Sequence, residues 1–238
     1  MAIAIAQIGT GGGLTTTLGA PISATMPAEP KQGNLLLAFC GADTIAASTA
    51  SGFTNINTFG GNNASAVAAY KYAGTNESTT QTAAQIGYAQ SQYNLGLVLE
   101  LSGVPASGGY NAATMRVQRR RTRPAFRTSS PDLRLHPRRG GLFAAFIFED
   151  TGNGITGATP STGWTLLGPY KERGSDASSY PITMYVMHQL GVAAGIYTPA
   201  LTITGSYAAK ASCETIAIAA APVVAHRRRV SSMVILAP

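Results

Sequence analysis

The chain alternates between apolar and polar positions. From Tyr93 to Leu101, the residues Tyr93, Leu95, Leu97, Leu99 and Leu101 fall on one face, and Asn94, Gly96, Val98 and Glu100 on the other. Successive strand residues point to opposite sides, so this run predicts a strand with one face on a core. The same pattern predicts strands at residues 2–8, 13–26 in two pieces, 34–41, 64–73, 79–88, 142–149, 165–170, 181–190, 199–204 and 212–220. No stretch has convincing helical periodicity. Clusters such as Phe59-Gly-Gly-Asn-Asn63 and Thr151-Gly-Asn-Gly154 separate the runs and carry the residue types that turns require. Gly9-Thr-Gly-Gly-Gly13 reads the same way, as a turn, and no helix follows it to cradle a phosphate. Many short strands at this spacing predict an antiparallel β-sandwich.

The sequence also repeats itself in order. Gly33-Asn-Leu-Leu-Leu-Ala-Phe39 answers Gly141-Leu-Phe-Ala-Ala-Phe-Ile147, and Gly52-Phe-Thr54 answers Gly163-Trp-Thr165. Val67-Ala-Ala-Tyr70 answers Ile182-Thr-Met-Tyr185, and residues 93–105 answer 210–222. Each unit holds about four predicted strands, too few to close a core. The expectation is therefore one jelly-roll-like sandwich over residues 1–222, built from two interleaved quasi-repeats. Repeat one covers about residues 20–105, a basic crossover 106–140, and repeat two 141–222, with a C-terminal tail over 223–238.

These residues also carry a resemblance. The succession P-x-x-P-K-Q-G-N-L-L-L-A-F, G-F-T, A-A-Y-K-Y-A-G, L-E-L-S-G-V, G-W-T-L-L and E-T-I-A-I-A-A-A-P resembles a group of phage and prophage virion proteins with a jelly-roll β-sandwich. It spans most of residues 20–222, through turn and core positions rather than chemistry. The resemblance implies a virion surface or tail-associated component, made in the bacterial host cytoplasm and without enzymatic activity. This chain departs from the pattern between Met115 and Gly140, where such proteins run through Ser/Thr/Ala-rich strand and loop.

Charge sharpens that departure. Only 11% of the 238 residues are charged, against roughly 25% in an ordinary soluble domain. Such a chain stays soluble through Ser, Thr, Asn and Gly, or through cover by neighbours in an assembly. The formal net charge of +7 is local. Arg116, Arg119, Arg120, Arg121, Arg123, Arg127, Arg134, Arg138 and Arg139 form one block, and Arg227, Arg228 and Arg229 another. Without these blocks, five positive charges face nine negative ones, a balance of −4.

Three readings compete for the arginines. Clustered guanidiniums neutralise phosphates with counterion release. Here, however, only Phe126 and the weaker His136 are available for base stacking, and no nucleic-acid module is recognisable. A second reading is an assembly arm, kept extended by Pro124, Pro131 and Pro137 and pairing with carboxylates on a neighbouring subunit. A third is a reading-frame product, because GC-rich codons for small residues give Arg/Pro-rich sequence when read one base out of register. The nucleotide sequence read in all three frames decides that point.

Catalytic and metal-binding patterns are sparse. His136, His188 and His226 stand far apart, and His188 reads as a core or interface residue. Cys40 and Cys213 both sit in apolar strand-like runs and read as buried free thiols. No Gly-x-Ser-x-Gly or Gly-x-x-x-x-Gly-Lys loop occurs. Glu149-Asp150 near Asn153 offers oxygen ligands of the kind Ca²⁺ takes, but no metal or other cofactor is expected. Glu100, Glu149 and Glu214 lie on or at the end of predicted strands, where a glycosidase pair is conceivable. A solvated outer sheet face is the preferred placement for them. Trp164, Tyr70, Tyr170, Tyr180 and Tyr185 make a sugar-stacking platform conceivable, with core packing preferred.

The longest apolar run, residues 216–225, contains Pro222 and is half the ~20 residues of a membrane span. Residues 1–10 lack the basic and apolar regions of a secretory signal. The leading expectation is a non-enzymatic bacteriophage virion protein, a multi-copy capsid decoration or cement component. Its partners would be capsid or tail proteins and copies of itself, with no nucleic acid and no membrane. The alternative is a tail-fibre or spike module that binds a host glycan.

Overall fold

The computed structural model describes residues 2–15, 17–42, 46–47, 52–61, 64–87, 92–105, 110–111, 126–129, 133–135, 140–149, 155–172, 182–193, 195–197, 199–205 and 210–219. Their regular structure is entirely strand. The first half contains β1 (Ala4–Thr15), β2 (Pro21–Thr25), β3 (Leu35–Ala42), β4 (Ala46–Ala47), β5 (Thr54–Gly61), β6 (Ala64–Tyr72), β7 (Thr80–Ile86) and β8 (Gln92–Ser102). Strands β9 (Tyr110–Asn111), β10 (Phe126–Ser129), β11 (Leu133–Leu135), β12 (Gly140–Glu149) and β13 (Ile155–Pro160) follow. The chain continues with β14 (Thr165–Glu172), β15 (Ile182–Val192), β16 (Gly195–Tyr197), β17 (Ala200–Gly205) and β18 (Lys210–Ala219).

The first half makes one antiparallel sheet in the order β4-β7-β2-β1-β8-β3-β6-β5. Its middle is a hinge line, because β1 and β2 are paired only at Thr10 and Thr25. There the sheet folds over, bringing β2 and β7 across β3, β6 and β8. Glycine permits the close approach. A Cβ at Gly96 would lie 2.6 Å from the Ser23 carbonyl oxygen, and one at Gly11 would collide with the same atom. The glycine-rich stretch 9–13 is therefore not the expected turn but part of β1, selected for backbone proximity rather than for a positive φ.

The second half repeats this plan. Its larger sheet has the order β14-β15-β12-β18-β9, matching β5-β6-β3-β8-β1, and its smaller sheet β10-β17-β13 matches β2-β7-β4. A separate pair, β11-β16, has no counterpart among the described residues of the first half. The repeated Gly-aromatic-Thr segments take the same conformation. Gly52 and Gly163 have φ of 91° and 86°, and Phe53 and Trp164 then turn into their respective cores. Both edge strands β5 and β14 carry irregular register, between Asn55 and Asn57 and between Leu166 and Pro169. Such bulges blunt an exposed sheet edge.

Alternation along each central strand serves two cores. In β3, Leu36, Ala38, Cys40 and Ala42 face a first interior shared with Ile22, Ala24, Val67, Ala83 and Ile86. In β12, Leu142, Ala144, Phe146 and Phe148 face a second interior with Trp164, Tyr185, Met187, Leu201 and Cys213. The opposite faces of the same strands meet one another. Leu35, Leu37, Phe39, Leu97 and Leu99 pack with Phe143, Ile147, Met184, Val186, Ile216 and Ile218 in a third cluster, which forms a seam between the two halves.

The all-β antiparallel sandwich class is the one the alternation predicts. Two expectations need correction. The repeats do not interleave, because every described pairing joins strands of the same half. Each also holds eight strands in the matching plan rather than about four. The extra ones, including β5 and β13, are polar edge strands whose Asn, Gly and Thr content hides them from a periodicity reading. The segment 106–140 is likewise more than a crossover. It supplies β9, paired with β18, together with β10 and β11, paired with β17 and β16.

Candidate functional site

Two strand carboxyls were placed by the sequence on a solvated outer face, and the structure corrects both. Glu100 is 2% exposed and Glu214 is fully buried. They occupy different interiors and take different roles.

Glu100 fastens a loop. It lies on β8 on the same face as Val98, turned toward the first interior. Its Oε1 accepts the Lys31 backbone N–H at 2.9 Å and the Asn34 side-chain amide at 2.5 Å. Its Oε2 accepts the Gln7 amide at 2.5 Å. Gln7 in turn clasps Ala28, donating to its carbonyl at 3.1 Å and accepting its N–H at 3.0 Å. The segment 28–34 is thus tied to β1 and β8 through one carboxylate whose acceptor positions are in use. That arrangement satisfies both oxygens of a buried carboxyl.

Glu214 sits on β18 with Ile216 and Ile218, on the face that makes the seam. Asn57 of β5, in the other half, donates from Nδ2 to Glu214 Oε2 at 2.9 Å. Glu214 Oε1 is buried and has no hydrogen-bond partner among the described residues. Burial raises the carboxyl pKa to about 7, against the opposing pull of the Asn57 bond. A raised carboxyl is a common mark of a general acid. Here the group is buried in the seam between two sheets.

His188 lies at the rim of the same seam, as an interface residue. Its half-buried ring stacks on Phe143, with centroids 6.3 Å apart and planes at 28°. Burial lowers its pKa, and its Nδ1 is buried without a hydrogen-bond partner among the described residues. No group of three or more His, Cys, Asp or Glu side chains that could hold a metal ion exists among the described residues.

The thiols are free and buried, in separate cores. Burial pushes the Cys40 thiol up to about 12 and raises Cys213 still further. Neither is a nucleophile at neutral pH. Trp164, at 9% exposure, and Tyr185, at 1%, are core residues, and Tyr185 meets Phe148 edge-on at 5.9 Å. Tyr70 is half-buried and packs edge-on against Tyr72 along the seam. The side chains of Tyr170 and Tyr180 lie outside the described residues, as do those of Glu149, Asp150 and Asn153. The proposed stacking platform therefore loses its tryptophan to the core.

Of the twelve clustered arginines, the structure describes the backbone of two. Arg127 is in β10 opposite Thr202, and Arg134 is in β11 opposite Ile196. Arg116, Arg119, Arg120, Arg121, Arg123, Arg138, Arg139, Arg227, Arg228 and Arg229 lie outside the described residues. No helix among the described residues is long and apolar enough to cross a membrane. Comparison with known protein families, curated proteins and solved structures gives no match.

Proposed function

We propose that the protein is a non-enzymatic structural component of a bacteriophage particle, present in many copies and decorating or cementing its shell. The observation that carries this reading is where the reactive groups go. Glu100, Glu214, both thiols, Trp164 and Tyr185 are all enclosed, as fasteners or as core. The outward positions of the folded-over layer are uncharged instead, with Pro21, Ser23, Thr25, Thr80, Thr82 and Gln85. Thr10, Thr25 and Thr80 stand in one row across three strands, and Ser23 bonds Thr82 at 2.6 Å beside them. A surface almost without charge suits sheet-to-sheet burial between copies, because charged residues are depleted at the core of an interface. The arginines would then pair with acidic patches on the shell.

The strand order supports a jelly-roll reading of each half. One layer is β1-β8-β3-β6, and the other is β2-β7-β4, the arrangement produced by two Greek-key crossings. The sequence resemblance to phage and prophage virion proteins points the same way.

The test is the intact particle. The protein should co-purify stoichiometrically with DNA-filled heads and leave them as salt weakens ion pairs. Cryo-microscopy should locate it on the shell lattice. Density confined to a tail tip, together with binding to host polysaccharide, would replace this reading with the receptor-binding one. Release of reducing sugar from host glycan would overturn the non-enzymatic reading altogether.

A further inference from the structure

We propose that Glu214 sets the strength of the seam between the two sandwiches through its protonation state. The neutral acid is accommodated between the sheets, whereas the carboxylate drives the seam toward opening and hydration.

The placement carries the argument. The side chain is fully buried on the seam face of β18, between residues contributed by both halves. One oxygen has a single donor among the described residues, the Asn57 amide, which comes from the opposite half. The other oxygen has no partner among the described residues. A carboxylate needs several donors to be stable away from water. Glu100 has three. Glu214 has one among the described residues, so its ionised form is the poorly solvated form. Opening the seam is the available route to water.

No cation among the described side chains faces Glu214. Strands β5, β6, β9, β11 and β12 pack against β18. Strand β5 contains no titratable residue. On β6 the seam-facing titratable groups are Tyr70 and Tyr72, while Lys71 lies over the Phe53 ring at 4.6 Å on the other face. Tyr110 of β9, Arg134 of β11 and Glu149 of β12 have side chains outside the described residues. His188 shares the seam from β15, with β12 between it and β18.

The direction follows from linkage. Burial raises the Glu214 carboxyl from 4.5 to about 7 in the folded protein, so the folded state holds its proton longer than the unfolded chain does. The stabilising contribution is complete below about pH 4.5, declines as pH rises, and is gone above about pH 7. His188 works in the opposite sense, because its neutral form is favoured and its contribution falls as pH drops. Replacing Glu214 therefore isolates its part of the profile.

Denaturant unfolding of the full chain, followed by the single tryptophan, is the experiment. Between pH 4.5 and 7 the wild-type folding constant should fall by up to roughly two orders of magnitude, then level off. Glu214→Gln should lack this decline and exceed wild type at pH 8. Parallel wild-type and Glu214→Gln profiles would overturn the proposal.

Should that variant fail to fold, carbon-13 labelling of glutamate side chains in the wild-type protein gives a direct titration. A carboxyl with its midpoint near 7 supports the proposal, and midpoints confined to the ordinary glutamate range overturn it. Asn57→Ala removes the one bond favouring the charged form, so it should move that midpoint upward. Hydrogen exchange, corrected for intrinsic rates, should show protection lost at high pH in β5 and β18 ahead of β2 and β7. Uniform loss across all four would refute the seam as the responding element.

Discussion

Replacing Glu100 with alanine should free the segment 28–34 from the sandwich. The variant removes the acceptor for three donors: the Lys31 N–H, the Asn34 amide and the Gln7 amide. A buried donor left without a partner costs about 1–3 kcal/mol. Gln7 and Asn34 are only half-buried and Lys31 is exposed, so water reaches the vacated donors and the low end of that range applies. Three donors at ~1 kcal/mol each give a loss of about 3 kcal/mol. Glu100→Gln keeps one acceptor oxygen but turns an amide toward donors, and should cost about half as much. Urea unfolding of both variants measures the loss, with an unchanged slope confirming an intact native state. Hydrogen exchange should then show faster opening at Lys31 and Gln32 before the strands are affected. A Glu100→Ala loss under about 1 kcal/mol would refute the fastening role, because charge-assisted bonds alone exceed that figure. So would a full loss with the loop amides unchanged.

Three further outcomes follow from the packing. Trp164→Ala should lower stability by about 3–5 kcal/mol, read by circular dichroism, because the side chain fills the second core rather than a ligand surface. A specific loss of glycan binding at unchanged stability would contradict this. Gly96→Val should cost at least 1–3 kcal/mol, since its Cβ would press on the Ser23 carbonyl at 2.6 Å, while Gly13→Ala, with open space around it, should stay within about 0.5 kcal/mol. Comparing their unfolding midpoints tests the close crossing of β2. Cys40 and Cys213 should ignore an aromatic disulfide reagent at pH 8 in the folded protein and react at the rate of unfolding, because burial raises both thiols far above that pH. Fast modification without unfolding would show that either core is open.

The central strands were legible because burial wrote itself into their sequence. In β3, one face serves the seam and the other serves a core, so apolar residues stand at almost every position, and Leu35 to Ala42 are all buried, while β8 shows its seam face through Tyr93, Leu95, Leu97, Leu99 and Leu101. The repeat was legible for the same reason, through Gly33–Phe39 and Gly141–Ile147. Its meaning was not. Sequence similarity marks equivalent residues but carries no information on which strands pair, so fusion of two complete plans and interleaving of two halves look alike. The edge strands were lost because an edge needs no continuous apolar face. β5 reads Thr-Asn-Ile-Asn-Thr-Phe-Gly-Gly and pairs on one side only. Glu100 and Glu214 were misplaced by the rule that carboxylates sit outside. Nothing local distinguishes them, since the donors for Glu100 come from 66 to 93 residues away and the donor for Glu214 from 157.

The basic segment gains a different standing from its position in the repeat. An arm added to a finished sandwich could be removed without loss, yet β9, β10 and β11 fall inside residues 106–140 and pair with β18, β17 and β16. By strand order β10 stands where β2 stands in the first half, at the sheet layer folded over the core. The two differ in character. β2 reads Pro-Ile-Ser-Ala-Thr and buries Ile22 and Ala24, while β10 reads Phe-Arg-Thr-Ser and carries Arg127 opposite Thr202. Strand geometry tolerates this substitution because β10 is an edge strand, and a cation on an edge discourages pairing with another chain. In the assembly-arm reading, Arg127 and Arg134 stay anchored in ladders. A shifted reading frame would have had to preserve two strand pairings across the altered stretch. Deleting residues 126–135 therefore should unfold the second half, and an intact second half after that deletion would return the segment to the status of a dispensable arm.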